Sequence, residues 1–281
     1  SKSQLSFTQL AIKNAIKNRG RSIAIVALLA LGTFTIIITG ANRKTFYGNE
    51  NNRKSGTGGF LFWAETTLPV LYDLNTSEGK NKFQLEGEEA LNDVHFIQMH
   101  QLDGDDASCL NLNQVQNPQI LGINPDELNQ RNAFSFAKLS KNINKDNPWL
   151  ELNKSYGKNI IPAYADQTVI TWGLIKEVGD TLVYLNEKGE NLNVVLIGGL
   201  NASIFQGNII IADKFFSEHF PSSSGSKSML IDGSSEKKEA ISETLNTYLR
   251  NYGIELTPTT ERLSQFYSIT NTYLTVFMFL G

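Results

Sequence analysis

Two long apolar stretches bracket a middle of mixed pattern. Residues 22–41, SIAIVALLALGTFTIIITGA, carry no charge, and at 1.5 Å per residue a helix of this length matches the roughly 30 Å hydrocarbon core of a bilayer. A second uncharged run follows Arg262, and its apolar part, 266–281, is about four residues short of a full span. The pattern predicts a transmembrane helix over 22–41 and the start of a second, truncated one over 263–281.

Two other interpretations of residues 22–41 are weaker. A secretory signal has an apolar region of about 7–15 residues, which is shorter than this run, although the run does end on the small residues Gly40 and Ala41. A buried helix of a large soluble protein would rarely run this far without a polar interruption. A membrane span accounts best for the length.

Charge near the N-terminus sets the expected orientation. Seven basic residues come before the first acidic one, Glu50: Lys2, Lys13, Lys17, Arg19, Arg21, Arg43 and Lys44. Positive residues stay on the cytoplasmic side of a membrane span. The bias therefore predicts a cytoplasmic N-terminus, and it puts residues 42–262 outside the cytoplasm.

Residues 1–21 are expected to form a cytoplasmic elbow before the span. In FTQLAIKNAIKNRGR the apolar positions fall near one helical face and the basic ones towards the other, which is typical of a helix at a membrane surface. Gly20 is predicted to break this helix before the span. The alternative is a plain extension of the membrane helix.

The middle alternates predicted strands with predicted helices. Asn124, Pro125 and Glu127 form a helix start with a capping box, and residues 181–185 and 193–198 form a hairpin around NEKGEN. The other predicted strands are 60–64, 119–123, 208–213, 228–232 and 254–257, and a helix is predicted over 234–253. This interleaving defines an α+β fold class.

Composition narrows the function classes. Hydrophobic residues make up 41% of the 281 residues, enough for a packed core, while a net charge of -3 argues against a nucleic-acid partner. Cys109 is the only cysteine, so no disulfide forms within the chain. The chain begins at Ser1 and ends inside an apolar run, which suggests a piece of a longer protein.

Motifs for nucleotide or calcium binding are absent from the sequence. SGTGG at 55–59 is glycine-rich but lacks a following Gly-Lys-Ser/Thr, so it is interpreted as a flexible linker leading into a strand. Asp103, Asp105 and Asp106 fail the calcium-loop pattern, because Ser108 and Gln114 stand where glycine and glutamate are needed. A solvated acidic turn is predicted there.

No catalytic, metal or cofactor residues are predicted, and the residues that contact a substrate are unknown. His95, His100 and His219 lack zinc-site spacing, and Cys109, although a nucleophile–base pair with His95 is conceivable, fits a buried free thiol in SCLNLN. Ser-x-x-Lys occurs three times, at Ser135/Lys138, Ser224/Lys227 and Ser234/Lys237, which makes each occurrence uninformative. The chain is therefore not expected to be an enzyme.

Taken in order, several segments resemble the MacB/FtsX-type permeases of ABC transporters. They are LAIKNAIKNRGRS, LGINPDEL, VGDTLVYLNEKGENLNVVLIGGL, GNIIIADKFF and ERLSQFYSITNTYLTVFMFLG. GDDASCLNLNQVQNPQILGI and NTYLTVFMFLG resemble in particular the long permeases that carry two such halves in one chain. The resemblance covers essentially the whole chain.

The resemblance implies a MacB-like extracytoplasmic core with a mixed sheet, set between two membrane helices of a bacterial inner-membrane protein. It implies a cytosolic ATPase partner that binds the ATP, so this chain would hold no cofactor. It also implies the lipid bilayer and a second permease half or other envelope proteins as partners. The substrate would be exported or extracted by motion passed through the spans.

Two rival functions have a similar sequence pattern. A two-span membrane-anchored sensor with an extracytoplasmic ligand-binding domain has the same architecture up to Gly281. Further spans beyond Gly281 would indicate a permease, whereas a cytoplasmic coiled coil and kinase-like domain there would indicate a sensor. An anchored hydrolase would need a nucleophile, base and orienting group, which the sequence does not supply.

Overall fold

The computed structural model describes residues 13, 16–42, 52–105 and 117–280. The chain divides into two compact units, residues 46–266 and the two ends, 1–45 with 267–281. In the second of these units the first helix, α1, covers Arg19–Asn42. Its window Arg19–Ile38 is long and apolar enough to cross a membrane and is entirely unburied, the one such helix among the described residues.

The strands of the larger unit alternate with short helices. The strands are β1 Phe62–Val70, β2 His95–Leu102, β3 Gln119–Ile123, β4 Phe136–Leu139, β5 Ile160–Asp166, β6 Thr181–Leu185, β7 Asn191–Leu200, β8 Asn208–Ala212, β9 Ser226–Asp232 and β10 Glu255–Pro258. The α-helices are α2 Ser77–Lys82, α3 Pro125–Arg131, α4 Asp213–His219, α5 Lys238–Tyr248 and α6 Thr259–Leu280. Single turns of 3₁₀ helix cover Glu89–Leu91, Ser235–Lys237 and Arg250–Tyr252, and a longer one covers Pro148–Asn153.

All these strands belong to one mixed sheet. Its order, within the described residues, is β10-β1-β9-β2-β3-β8-β5-β7-β4, with β6 paired to β7. The β3–β8 and β5–β7 pairs are parallel, and the other pairs are antiparallel. The predicted α+β class with a mixed sheet is therefore confirmed.

Strand β2 joins the two halves of the sheet. Residues 95–99 pair with β9, and residues 100–102 pair with β3. On the β9 side the core is aliphatic and aromatic, with Leu61, Phe96, Ile231 and Leu245 all buried. One strand thus carries the hydrogen bonding from the first half of the domain into the second.

An aromatic cluster joins β1 to the second half of the domain. Phe134 lies 5.0 Å from Phe205 and 6.2 Å from Trp149 between ring centroids, and Trp63 meets Phe205 at 5.8 Å. Trp149 donates its indole N–H to the carbonyl of Ala133 at 2.8 Å, so the buried ring keeps its polar atom bonded. Such rings bury a large apolar area each, and they fix the loops between strands.

The local predictions are confirmed at the hairpin and at the start of α3. Strands β6 and β7 flank a turn in which Gly189 has φ +76°, a conformation that favours glycine. Asn124 caps the helix, since its side chain accepts from the Asp126 N–H. The Glu127 carboxylate accepts from the Asn124 side-chain amide and not from its backbone N–H, so the reciprocal bond of the predicted capping box is wrong.

Three other local predictions are corrected. Gly20 lies inside α1, where the Ser22 N–H bonds to the Asn18 carbonyl, so a break at Gly20 is wrong. The first strand starts at Phe62, two residues later than predicted, and continues to Val70. The glycine-rich stretch 55–59 is an ordered turn, and the rest of the predicted elbow, 1–12 with 14 and 15, lies outside the described residues.

Candidate functional site

The first turn of α6 is bonded to the chain that enters β1. The Thr259 N–H donates to the Leu61 carbonyl at 3.1 Å, and the Thr259 hydroxyl donates to the Phe60 carbonyl. Leu263 and Phe266, one and two turns further on, are buried. The start of this helix is therefore part of the domain core.

Arg262 fixes the same helix to β1 and to the loop that follows β7. Its guanidinium lies 4.0 Å from the centroid of the buried Trp63 ring in β1, and its Nε donates to the Ile204 carbonyl at 3.0 Å. Its Nη1 lies 3.6 Å from Glu65, whose carboxylate also accepts from the Trp63 indole at 2.6 Å. The planar cation can stack and donate at once, which a lysine cannot do.

A second arginine holds the turn that precedes β1. Arg131, at the end of α3, donates to the carbonyls of Gly58 and Gly59, lies 4.4 Å from the Phe60 ring centroid and pairs with Asp232. Both glycines have positive φ, +64° and +71°. The stretch interpreted as a flexible linker is thus a clamped turn.

Burial acts on the charge of this second arginine. Burial, and then the nearby Arg53, lower the pKa of Arg131 to about 10. The side chain therefore stays cationic at neutral pH, and its pairing with Asp232 offsets part of the cost of burying it.

Asp166 ties the end of β5 to the loop that follows β7. One carboxylate oxygen accepts from the N–H and hydroxyl of Thr168 at 2.9 and 2.6 Å, and the other accepts from the N–H and hydroxyl of Ser203 at 2.6 and 3.1 Å. The Ile204 N–H then donates to the Gly56 carbonyl at 2.9 Å. Asp166 is fully buried, and this burial raises the pKa of its carboxyl against the opposing effect of the four hydrogen bonds.

Two of the three histidines considered in the sequence, His95 and His100, lie in carboxylate pairs, whereas His219 lines a cleft described below. His95 Nε2 is 3.1 Å from Glu127 in α3, and His100 Nδ1 is 2.5 Å from Asp213 at the start of α4. His100 also stacks on Phe216 with 5.5 Å between ring centroids. These contacts join β2 to two helices.

The acidic stretch is only partly described. Asp103 lies 3.7 Å from Lys227, and Asp105 accepts from the Asn117 N–H at 3.2 Å. Asp106 and Cys109 lie outside the described residues, so the predicted buried thiol is untested. Among the described residues no three His, Cys, Asp or Glu side chains are grouped to hold a metal ion.

A cleft of about 720 Å³ lies between the β6–β7 turn, the loop before β5 and α4. Lys158, Lys188, Glu190 and His219 are among its lining residues. Hydrogen bonds from Asn186 and Asn159 lower the pKa of Glu190. The lining carries both charge signs, so the cleft is polar, without a preference for one ligand charge.

Two arginines clamp the incoming turn and the outgoing helix next to each other, Arg131 on the turn and Arg262 on the helix. The sequence identified Arg262 only as the last charge before the apolar run. Its spacing from Phe266, one turn away on a helix, was the signal for a ring contact, which the structure has at 5.3 Å.

No protein-family model matches the sequence, and no curated protein matches it. Among solved structures, the extracellular domain of the noncanonic ABC-type transporter YknZ from Gram-positive bacteria is 14% identical with a TM-score of 0.32, covering 70% of this chain and 98% of that one. The periplasmic region of MacB from Actinobacillus actinomycetemcomitans is 11% identical with a TM-score of 0.40, covering 80% of this chain and 97% of that one. Both are extracytoplasmic parts of ABC-type transporters, the kind of protein that the sequence resembles.

Proposed function

We propose that this chain is the extracytoplasmic domain and adjoining membrane helices of an ABC-transporter permease subunit of the MacB/FtsX type. The observation that carries the proposal is the junction at Arg262. There the helix that continues into the apolar C-terminal run is bonded to β1 and to the loop after β7. A helix held in this way passes any displacement at its far end into both halves of the domain.

The ends of the chain support a membrane setting. The unburied apolar window Arg19–Ile38 follows basic residues, which favours a cytoplasmic N-terminus and an extracytoplasmic domain. The expected partners are a cytosolic ATPase subunit, which would bind the ATP, the lipid bilayer, and a second permease half or other envelope proteins. The domain itself would act without catalysis, moving or releasing a substrate whose class is open.

Measurements of ATP binding and hydrolysis test the proposal. The full-length protein, purified in mild detergent with its copurifying subunits, should hydrolyse MgATP and release phosphate, with the nucleotide bound by a separate polypeptide. The 281-residue chain alone should neither bind nor hydrolyse ATP, because it has no Gly-Lys-Ser/Thr loop. Transfer of the γ-phosphate onto the same full-length polypeptide would instead identify the two-span sensor and reject the permease.

A further inference from the structure

A short segment after β5 turns two large apolar side chains outwards. Val169–Gly173 forms one turn of π-helix. This form is rare in proteins, and where it occurs it often marks a functional site. Its inner side chains, Val169 and Ile170, are buried, as is Leu174, which follows the turn. Trp172 and Ile175 are 78% and 71% exposed.

The backbone at this segment is strained. Ile175 has φ +54°, in the left-handed region that a β-branched residue rarely occupies. The Leu174 N–H bonds to the Val169 carbonyl and the Lys176 N–H bonds to the Ile170 carbonyl, each at 2.9 Å, and these bonds hold the turn. A fold that keeps an exposed isoleucine in a strained conformation is typical of a site under functional constraint.

Hydrogen bonds connect this segment to the junction from which α6 starts. Thr168, directly before the π-helical turn, bonds to Asp166, and Asp166 bonds to Ser203. The next residue, Ile204, bonds to both Gly56 and Arg262. The segment therefore begins at the same end of the domain as the incoming turn and the outgoing helix.

The chain leaves this end of the domain and runs directly into the apolar C-terminal stretch. Arg262 is the last charged residue of the chain, and the uncharged run starts at the next position. A helix rises about 5.4 Å per turn, so the proposed second span begins within one or two turns of Arg262.

We propose that Trp172 and Ile175 insert into the lipid headgroup region on the extracytoplasmic side of the membrane. Tryptophan favours the membrane interface because its ring is apolar and its indole N–H is polar. Lys176 follows directly and supplies a cation for lipid phosphates. The inference rests on the proposed membrane setting, and it adds a lipid contact made by the folded domain itself.

Tryptophan fluorescence gives a direct test, because the chain has three tryptophans and the other two, Trp63 and Trp149, are buried. The 281-residue chain is reconstituted into phosphatidylcholine–phosphatidylglycerol vesicles, with and without lipids brominated near the headgroup end of their chains. Emission is expected to be lower in the brominated vesicles. The variant Trp172→Phe should emit equally in both.

A matched control uses an exposed apolar position at the other end of β1. Leu71 is 64% exposed and directly follows Val70, which pairs with Ser226. Phe62 pairs with Ile231, five residues further along β9, so the two ends of β1 lie roughly 17 Å apart along the strand direction. In a Trp172→Phe background, Leu71→Trp should be quenched by aqueous iodide and not by brominated lipid. Equal emission of the unmodified chain in both vesicles, or iodide quenching of Trp172 as strong as that measured for the Leu71→Trp control, would overturn the lipid contact.

Two further outcomes separate this inference from others. Trp172 shielded from iodide but not quenched by brominated lipid would mean that a second copy or another protein covers it, which also rejects the lipid contact. Maleimide labelling of Ser224→Cys and Lys17→Cys, in a Cys109→Ser background, checks the membrane setting. In intact spheroplasts treated with a membrane-impermeant maleimide, the proposed topology predicts that Ser224→Cys reacts and that Lys17→Cys reacts only after the spheroplasts are lysed. If this result is obtained while brominated lipid leaves Trp172 unquenched, the proposed topology stands and the inference fails.

Discussion

Arg262 shows how much one side chain can contribute to the junction. Arg262→Lys keeps the charge near Glu65 but loses the flat stacking on Trp63 and the Nε bond to Ile204. We expect a loss of about 1–2 kcal/mol in the free energy of unfolding, which lowers Tm by about 2–8 °C in a domain of this size. Thermal unfolding followed by near-ultraviolet circular dichroism measures it.

The exposed Arg250 supplies the matched control for that substitution. Arg250→Lys should change the free energy of unfolding by no more than about 0.5 kcal/mol, as surface substitutions do. Equal effects at the two positions would show that Arg262 is an ordinary surface cation.

Asp166 makes the stability of the domain depend on pH. Since burial raises the pKa of its carboxyl in the folded state, the folded protein binds the proton more tightly than the unfolded chain. The stability that Asp166 contributes is then fully present below the pKa of this carboxyl in the unfolded chain, about 3.9. It is lost as pH rises through the higher pKa that the carboxyl has in the folded protein.

Asp166→Asn tests whether the stability contributed by Asp166 falls as pH rises. The amide presents one oxygen instead of two, so one backbone N–H, from Thr168 or Ser203, loses its acceptor and the variant is less stable at every pH. In urea unfolding, the advantage of the unmodified chain should be larger at about pH 5 than at about pH 8. An advantage that grows with pH would mean that the folded carboxyl has a depressed pKa.

Single residues were predictable where the cause is local. Asn124 and Gly189 act through backbone conformation within a few positions, and the sequence identified both. Arg131 and Asp166 depend on partners 72 and 37 positions away, Gly59 and Ser203, so no local pattern reveals them.

Among the elements, α6 is expected to be needed for the fold of the domain it leaves. A fragment of residues 52–266 should unfold in one sharp transition, whereas residues 52–258 should be unfolded or aggregated. The shorter fragment lacks the buried Leu263 and Phe266, which contribute about 1.5–3 kcal/mol each, together with Arg262 and Thr259. That loss is comparable to the whole stability of a typical domain, about 5–15 kcal/mol.

A control of unchanged length measures how much the buried Leu263 and Phe266 side chains of α6 contribute to stability. The 52–266 fragment carrying Leu263→Ala and Phe266→Ala should still show a melting transition, at a lower temperature than the unmodified 52–266 fragment, because it keeps Thr259 and Arg262. Identical melting of 52–258 and 52–266 would show that α6 is merely attached to the domain.

Elements were predictable in proportion to their periodicity. The β6–β7 hairpin and the strand β8 carry clear alternating or apolar runs, and both were found. Strand β2 was missed because polar residues such as Gln98 and His100 interrupt its pattern, and the π-helical turn at Val169–Gly173 has no sequence pattern of its own. Strand β2 is polar at these positions because its side chains bond to neighbouring elements, as Gln98 does to the Leu74 N–H.

For the whole molecule, the class of fold was predictable and the strand order was not. Interleaved strands and helices define an α+β domain, but the order β10-β1-β9-β2-β3 depends on pairings across the full length of the domain, such as β1 with β10. The start of the second span over 263–281 and the domain limits remain predictions.

The hydrogen bond between Thr259 and Leu61 has a consequence for protein engineering. It brings the two backbones that bound about 200 residues of folded chain to within 3.1 Å of each other. Domains whose ends lie close together are tolerated as inserts in other proteins. A domain whose entering and leaving backbones meet in this way should fit into a tight surface loop of an unrelated carrier without stretching its host.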